Sequence, residues 1–219
     1  ENALNDYKRK RIRESPDMPS ERLDKLLAFR PRMEKIIVKD AKLRTFIADD
    51  ASRGEMVSHV YDVTYGILND YQDNLVLVDD SIVRGTTLRE SILKIVSRLR
   101  PKRIVVVSSA PQIRYPDCYG IDMSKMKEFV AFRALVALLQ ESGQDDKLQQ
   151  TYEKCKAQQH KPKEEMVNHL IALYDTFSYD EVSDKIATLL TPPDIEPEVK
   201  VIYQTLEGLH RACPDHKGD

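Results

Sequence analysis

The clearest hydrophobic pattern lies in the middle of the chain. Residues 75–78 are four consecutive apolar residues, which is typical of a strand buried on both faces of a parallel sheet. Apolar residues then recur at helical spacing over residues 88–99, and residues 103–108 form a second apolar run. The pattern therefore predicts a strand, a helix and a second strand joined by a right-handed crossover.

The flanking regions have mainly helical patterns. Residues 1–30 are highly charged, and Pro16 and Pro19 interrupt their helical pattern. Beyond the central unit, helical spacing of apolar residues predicts further helices at about 124–143, 145–158, 163–175, 179–190 and 206–213. The helix at 179–190 should begin with a capping box formed by Ser178 and Glu181.

Shorter apolar segments complete the predicted elements. They favour strands at 34–38, 43–47 and 199–203, and a stripe of apolar side chains across 56–67 favours a helix. The expected fold class is α/β, with a partial Rossmann-like parallel sheet and a helical C-terminal extension. We divide the chain into a charged helical segment at 1–33, an incomplete α/β core at 34–123 and a mainly helical extension at 124–219.

Composition excludes several classes of protein. The 219 residues are 41% hydrophobic and 32% charged, as in globular domains, and the net charge of −2 gives no broad attraction to nucleic acid or to membranes. No apolar run approaches the ~20 residues that span a bilayer. The three cysteines are far apart and odd in number, which indicates a reducing, cytoplasmic setting and no disulfide framework.

Candidate chemistry follows the first central strand. Asp79 and Asp80 stand at its carboxyl end, where open α/β sheets bind ligands. The loop at 81–87 offers hydroxyl groups, the flexible backbone of Gly85 and the free N–H groups of a helix start, which together can hold a phosphate. Carboxylates beside a phosphate site suit a ligand with vicinal hydroxyls and a phosphate, such as a ribose 5-phosphate.

Each of these features also has a structural explanation. An acidic pair after a strand often caps the next turn, and threonine often caps a helix start. The capping role and the ligand role are compatible, because the same N–H groups serve both. The combination of apolar strand, acidic pair and glycine-containing loop favours the ligand site.

The segment LVLVDDSIVRGTT at 75–87 resembles the phosphoribosyl-pyrophosphate (PRPP) motif of type I phosphoribosyltransferases. The sequence of this segment is most similar to that of the glutamine PRPP amidotransferases, also called amidophosphoribosyltransferases. RTFI at 44–47 and SSAPQIRYPDCYGIDM at 108–123 resemble the same branch, and YQTLEGLHRA at 203–212 is a weaker match. The resemblance implies a partial type I phosphoribosyltransferase fold.

The resemblance also implies roles for particular residues. Asp79 and Asp80 would bind the ribose hydroxyls of PRPP and help to seat Mg²⁺. The remaining PRPP-binding residues would be Ser81, Arg84, Gly85, Thr86 and Thr87. Lys39 and Arg44 would face pyrophosphate or order a flap over it, although each such residue is more often a solvated cation. Arg114 and Tyr115 would form a wall of the active site or an ordered surface loop.

The implied ligands are PRPP, purine nucleotides and Mg²⁺. Some members of the family hold an iron–sulfur cluster through four cysteines; we expect none here, because the three cysteines are poorly placed for it. The chain begins with Glu1 and contains nothing that matches the family's glutaminase domain, so we expect it to be a fragment of a longer parent chain that carries that domain. Apolar surface left by missing strands favours a homo-oligomer.

The parent would make 5-phosphoribosylamine from PRPP and glutamine-derived ammonia in de novo purine synthesis, and the fragment alone would be inactive. One alternative is a phosphoribosyltransferase that acts on a base, which the IRYPDCYGIDM segment disfavours. The other is a non-catalytic module that senses PRPP or nucleotides. The sensor is favoured by Val60, Tyr61 and Asp62, which stand where the family's flap has K-L-N.

Overall fold

The computed structural model describes residues 2–34, 36–39, 61–117 and 123–215. The chain divides into two compact units, Glu1–Lys35 and Ile36–Asp219. The division into residues 1–33, 34–123 and 124–219 stays a prediction.

The first unit is a pair of helices. Helix α1 spans Asn2–Glu14 and α2 spans Ser20–Ala28, with the predicted break between them at Pro16 and Pro19. Lys8 is largely buried, and its ammonium group donates a hydrogen bond of 2.6 Å to the carbonyl oxygen of Leu27. This bond ties the middle of α1 to the end of α2.

The second unit begins with a small antiparallel sheet. Strand β1 (Ile37–Lys39) pairs with β2 (Tyr61–Val63), and Ile37 lies opposite Val63. The helix expected across 56–67 is therefore wrong for the described residues from 61 onward. Pairing with β1 holds Tyr61–Val63 extended, and residues 64–67 form no helix. The strand expected at 43–47 lies outside the described residues.

A three-stranded parallel sheet forms the centre of the second unit. Strands β3 (Asn74–Asp79), β4 (Arg103–Ser108) and β5 (Glu198–Tyr203) lie in the order β3–β4–β5. In the register, Leu75 pairs with Ile104, which pairs with Val199. The predicted α/β class and the two central strands are confirmed, and the short strand expected near 199–203 is the third strand of this sheet.

Helix α3 connects β3 to β4. It begins at residue 86, includes a π-helical turn at Leu88–Ile92 and continues as an α-helix over Leu93–Ser97. In the π-helical turn the N–H of Leu93 donates to the carbonyl of Leu88, one residue further back than in an α-helix. Such turns often lie near functional sites.

The C-terminal half is mainly helical, as expected. Its helices are α4 (Val130–Glu141), α5 (Asp146–Ala157), α6 (Leu170–Tyr174), α7 (Tyr179–Leu190) and α8 (Leu206–Ala212), with 3₁₀ turns at Met126–Glu128 and Lys163–Glu165. The helix expected across 163–175 is wrong between its 3₁₀ turn and α6. There the side-chain amide of Gln158 bonds both backbone groups of Val167, at 2.6 and 3.0 Å, and takes the place of helical bonding.

The core lies on one face of the parallel sheet. Side chains of β3, β4 and β5 on that face pack against α3, α4 and α7, and the buried residues include Leu75, Ile104, Val106, Val201, Leu93, Val96, Val130, Val182 and Ile186. On the other face Val76 is 57% exposed, Val78 is 77% exposed and Ile202 is 43% exposed. The expectation that β3 is buried on both faces is therefore wrong, because no described element covers the second face. None of the described helices is long and apolar enough to cross a membrane.

The predicted capping box at the start of α7 is confirmed. The Ser178 hydroxyl accepts a hydrogen bond of 3.2 Å from the Glu181 N–H, and the Glu181 carboxylate accepts one of 2.7 Å from the Ser178 N–H. Hydrogen bonds from the hydroxyl and the N–H of Ser178 hold the pKa of Glu181 below its ordinary value.

We expect Ser178→Ala to lower the free energy of unfolding by about 1 kcal/mol, because it removes a capping oxygen from the first turn of α7. Ser178→Thr, which keeps that oxygen, serves as the control. Urea unfolding of the two variants measures the difference, and equal stability of the two would contradict a role for the cap.

Candidate functional site

The carboxyl ends of the three parallel strands meet at one edge of the sheet. There the N–H groups of Ser109 and Ala110 donate to the carbonyls of Asp79 and Asp80, both at 2.9 Å. The N–H of Gln204 donates to the carbonyl of Ser108 at 3.1 Å. Backbone bonding thus continues beyond the strands and fixes the start of the loop that follows each of them.

The acidic pair predicted as the ligand site is exposed at this edge. One oxygen of the Asp79 carboxylate accepts the N–H of Asp80 at 3.0 Å, and one oxygen of the Asp80 carboxylate accepts the N–H of Ser81 at 2.6 Å. The local capping role is therefore present. Each carboxylate has a second oxygen that can still bind a ligand.

The electrostatics of the pair favour a positively charged or hydroxyl-bearing ligand. Partial burial raises the pKa of Asp79 above its ordinary value, and the neighbouring Asp80 carboxylate raises that pKa further, while the N–H of Asp80 opposes the shift. Adjacent carboxylates are the hard oxygen ligands that Mg²⁺ prefers, and one or two of them commonly hold it together with ligand phosphates and water. The pair therefore fits a Mg²⁺ ion bound together with a phosphorylated ligand.

The loop after the pair turns sharply at Gly85. The φ angle of Gly85 is +71°, and a Cβ atom on this residue would clash with a methyl carbon of Leu190 in α7. The positive φ angle favours glycine at this position, and a Cβ atom would in addition force the Leu190 side chain to shift. The neighbour that approaches Gly85 is the side chain of Leu190. The close approach of the Gly85 backbone to a phosphate stays a prediction.

The turn at Gly85 leads directly into the first turn of α3. The carbonyl of Gly85 accepts the N–H of Arg89 at 2.9 Å, so Thr86 and Thr87 occupy the first helical positions. Both threonines and Ser81 are exposed, and the hydroxyl of Thr87 makes no capping bond. The N-terminal N–H groups of a helix and nearby hydroxyls are a favourable site for a phosphate.

Arg84 is bound within the protein. Its guanidinium lies 2.6 Å from the carboxylate of Glu128, and the two side chains are about equally exposed, at 31% and 29%. The carbonyl of the preceding residue, Val83, accepts the N–H of Val130 at 2.8 Å. The start of α4 and the 3₁₀ turn before it therefore anchor this loop, a contact that sequence reasoning missed because nothing in the pattern pairs Glu128 with Arg84.

Arg114 lies in a polar cluster after β4. Its guanidinium carbon is 4.6 Å from the ring centre of Tyr174 and 5.2 Å from that of Tyr179. Two of its nitrogens donate to the side-chain oxygen of Gln112, at 3.0 and 2.8 Å. The ring of Tyr115 packs edge-on against Tyr174, with 5.9 Å between ring centres. Arg114 therefore has a packing role, and its role in an active-site wall stays a prediction.

The two remaining candidate residues are Lys39 and Arg44. Lys39 ends β1 in the separate antiparallel sheet. Arg44 lies outside the described residues. The assignment of both to pyrophosphate stays a prediction.

Comparisons with known proteins support the resemblance. No family model matches the chain. The chain is 43% identical over 90 residues to the amidophosphoribosyltransferase of Pasteurella multocida, a match that covers 41% of this chain and 17% of that protein. It is 48% identical over 58 residues to the enzyme of Escherichia coli, covering 26% and 11%. The match to the enzyme of Lachancea kluyveri is 37% identical over 112 residues and covers 50% and 21%.

The predicted similarity to amidophosphoribosyltransferases is thus confirmed, and the chain matches only a small part of the length of these relatives. Among solved structures, the chain is 33% identical to the glutamine PRPP amidotransferase of B. subtilis complexed with ADP and GMP. That match covers 50% of this chain and 24% of the other, with a TM-score of 0.35. A TM-score at this level gives no information about the fold.

We expect Gly85→Ala to destabilise the protein more than Gly143→Ala does. Gly143 also has a positive φ angle, +66°, but a Cβ there would meet nothing within 4 Å. Gly143→Ala is the control, and it should lower the free energy of unfolding by about 1–2 kcal/mol because of the backbone angle alone. Gly85→Ala should cost about 1–3 kcal/mol more, because the methyl group overpacks against Leu190.

Urea unfolding measures both changes, and a double-mutant cycle of Gly85→Ala with Leu190→Ala isolates the contact. A favourable coupling energy is expected, since the shorter side chain makes room for the methyl group. Additive effects in the cycle would show that Leu190 does not set the requirement for glycine.

The raised pKa of Asp79 predicts a pH-dependent stability. A carboxyl whose pKa is higher in the folded than in the unfolded state binds more protons when folded, so stability falls as pH rises through this range. We expect the wild type to lose stability relative to Asp79→Asn as pH rises from below the ordinary value of 3.8 to neutral. Urea unfolding of both proteins across this range tests the sign, and a rise in relative stability would refute the assignment.

Proposed function

We propose that this chain is the PRPP-binding region of an amidophosphoribosyltransferase, a glycosyltransferase that makes 5-phosphoribosylamine from PRPP and ammonia. One observation carries the proposal. Asp79 and Asp80 are exposed at the carboxyl end of β3, and the chain runs from them through the Gly85 turn into the first turn of α3. The partial identity to amidophosphoribosyltransferases supports the same ligand.

The ribose of PRPP would be held through its vicinal hydroxyls. The carboxylates of Asp79 and Asp80 accept hydrogen bonds from these hydroxyls, and charged acceptors form stronger bonds than neutral ones. The 5-phosphate would lie at the first turn of α3, where N–H groups, the helix dipole and the hydroxyls of Ser81, Thr86 and Thr87 favour a dianion.

Asp79 and Asp80 would also hold Mg²⁺, directly or through water, because their carboxylates fit that ion. When bound, Mg²⁺ neutralises charge on the departing pyrophosphate. The binding of a cation would also favour the ionised form of Asp79, whose charge the free protein disfavours.

The reaction is a displacement at C1 of the ribose. The nitrogen of ammonia forms a bond to C1 while the bond from C1 to a pyrophosphate oxygen breaks, and the product amine then releases a proton. Ammonia carries a free electron pair and needs no general base to attack. The contribution of this chain is to position the ribose and its phosphate so that C1 is open to ammonia on one side and pyrophosphate can leave from the other.

The other steps belong to the parent protein. Glutamine hydrolysis would take place in a glutaminase domain of the same parent chain, and we infer no turnover by this chain alone. The same proposal includes three further points. The parent protein would act in de novo purine synthesis in the cytoplasm, it would bind purine nucleotides as additional ligands, and it would be a homo-oligomer. The exposed side chains of Val76 and Val78 support self-association.

Calorimetric titration with PRPP and Mg²⁺ tests the site. We expect the wild type to bind, and Asp79→Asn/Asp80→Asn to lose at least about 100-fold in affinity, because two charge-assisted bonds are lost. Asp145→Asn/Asp146→Asn is the matched control. It removes an exposed, adjacent acidic pair outside the candidate site and should bind within about threefold of the wild type.

Equal loss in both double variants would show that general charge, and not this site, governs binding. The same titration with ribose 5-phosphate separates binding of the ribose-phosphate end from binding of pyrophosphate. Pyrophosphate release by the full-length parent with ammonia would identify an enzyme, and binding without release would identify a sensor.

A further inference from the structure

One helix, α7, contacts both loops at the carboxyl edge of the sheet. In its last turn Leu190 packs against Gly85 of the loop at 81–87. At its start Tyr179 and Ser183 bind Gln112, in the loop at 109–117 that follows β4. A single rigid element thus touches the loop after β3 and the loop after β4.

The hydroxyl of Tyr179 joins two strand ends. It accepts the backbone N–H of Gln112 at 2.9 Å and donates to the backbone carbonyl of Gln204 at 3.0 Å. Gln112 follows β4 and Gln204 follows β5, so this hydroxyl bridges the chain segments beyond neighbouring strands. Its donor and one acceptor position are both used.

The side chain of Gln112 completes the connection to α7. Its NH₂ group donates to the backbone carbonyl of Tyr179 at 2.9 Å and to the hydroxyl of Ser183 at 2.8 Å. Its oxygen accepts both bonds from Arg114. Gln112 is only 7% exposed, and its amide uses its full capacity for hydrogen bonds. Buried networks that are fully satisfied in this way hold a unique geometry.

The aromatic rings around Arg114 strengthen this arrangement. The guanidinium lies over the rings of Tyr174 and Tyr179, and such cation–π contacts add attraction in a partly desolvated site. Burial raises the pKa of Tyr179, so its hydroxyl keeps the proton that it donates to Gln204.

We infer that α7 is a brace that fixes the loop at 109–117 relative to the Gly85 turn, and that Tyr179 is a positioning residue for the candidate site. The consequence for ligand binding rests on the proposed function. The brace itself rests only on the contacts of Leu190, Tyr179 and Gln112. Tyr179 acts through the loop and touches no proposed ligand group.

The chain supplies a matched control for Tyr179. Tyr203 is buried, and its ring meets that of the half-buried Tyr179 edge-on, with 6.5 Å between ring centres. The hydroxyl of Tyr203 has no hydrogen-bond partner in the part of the chain that the structure describes. Tyr179→Phe and Tyr203→Phe both remove one hydroxyl and keep the ring. Only the first removes the bridge between Gln112 and Gln204.

Amide hydrogen exchange of the two variants tests the brace. Tyr179→Phe should speed exchange of the amides at 109–117, above all that of Gln112, by about tenfold. Exchange over Leu93–Ser97, in the core of α3, should change by less than about twofold. Tyr203→Phe should leave both segments near the wild type. If the exchange rate in Tyr179→Phe increased uniformly along the chain, or did not increase at 109–117, the inference that α7 is a brace would be wrong.

Titration of the same proteins with PRPP and Mg²⁺ tests the positioning role. Tyr179→Phe should weaken binding by about 3–10-fold, and Tyr203→Phe should not. Faster amide exchange at 109–117 without a change in affinity for PRPP would show that Tyr179 is not a positioning residue for the site. If the wild type binds no PRPP, the proposed function fails, while the exchange experiment still decides whether α7 is a brace.

Discussion

Parallel pairing of β4 with both of its neighbours is the constraint on which the rest of the structure depends. The three strands come from distant parts of the chain, and their register brings Asp79, Ser108 and Tyr203 level with one another. Because the strands are parallel, the loops that follow them emerge at one edge. A shift of one residue in β4 would turn its buried side chains toward the exposed face, so the packing of Ile104 and Val106 also fixes which groups meet at that edge.

Loops at the edge of a sheet need support, and here it comes from the helices of the core. The Gly85 turn rests on Leu190, the residue before it is held by Glu128, and the loop after β4 is bound to the start of α7. The helical residues after 123 therefore have a part in shaping the site, although none of them carries a group that we assign to the ligand. Stability and the geometry of the site are coupled through these contacts.

Sequence patterns predicted the local features well and the long-range contacts poorly. The strands at β3 and β4, the helix between them and the capping box at Ser178 follow from short-range periodicity and from residue chemistry. The contact of Gly85 with Leu190 has no such signature, since it depends on where the chain places α7. The hydrogen bonds between the Gln158 side chain and the Val167 backbone likewise interrupt a helix that the spacing of apolar residues favours. An apolar run cannot show how many faces of a strand are covered, and for this reason the exposure of Val76 and Val78 was not foreseen.

The acidic pair shows how a site can oppose the stability of its own fold. Partial burial and the charge of Asp80 raise the pKa of Asp79, so the ionised form of this carboxyl group is disfavoured in the free protein. A ligand that supplies hydroxyl donors and a cation removes the disadvantage, because it bonds to the ionised form. An unfavourable charge that only some ligands compensate makes binding selective. A neutral ligand without hydroxyl donors would leave the ionised Asp79 carboxylate uncompensated and would bind less tightly.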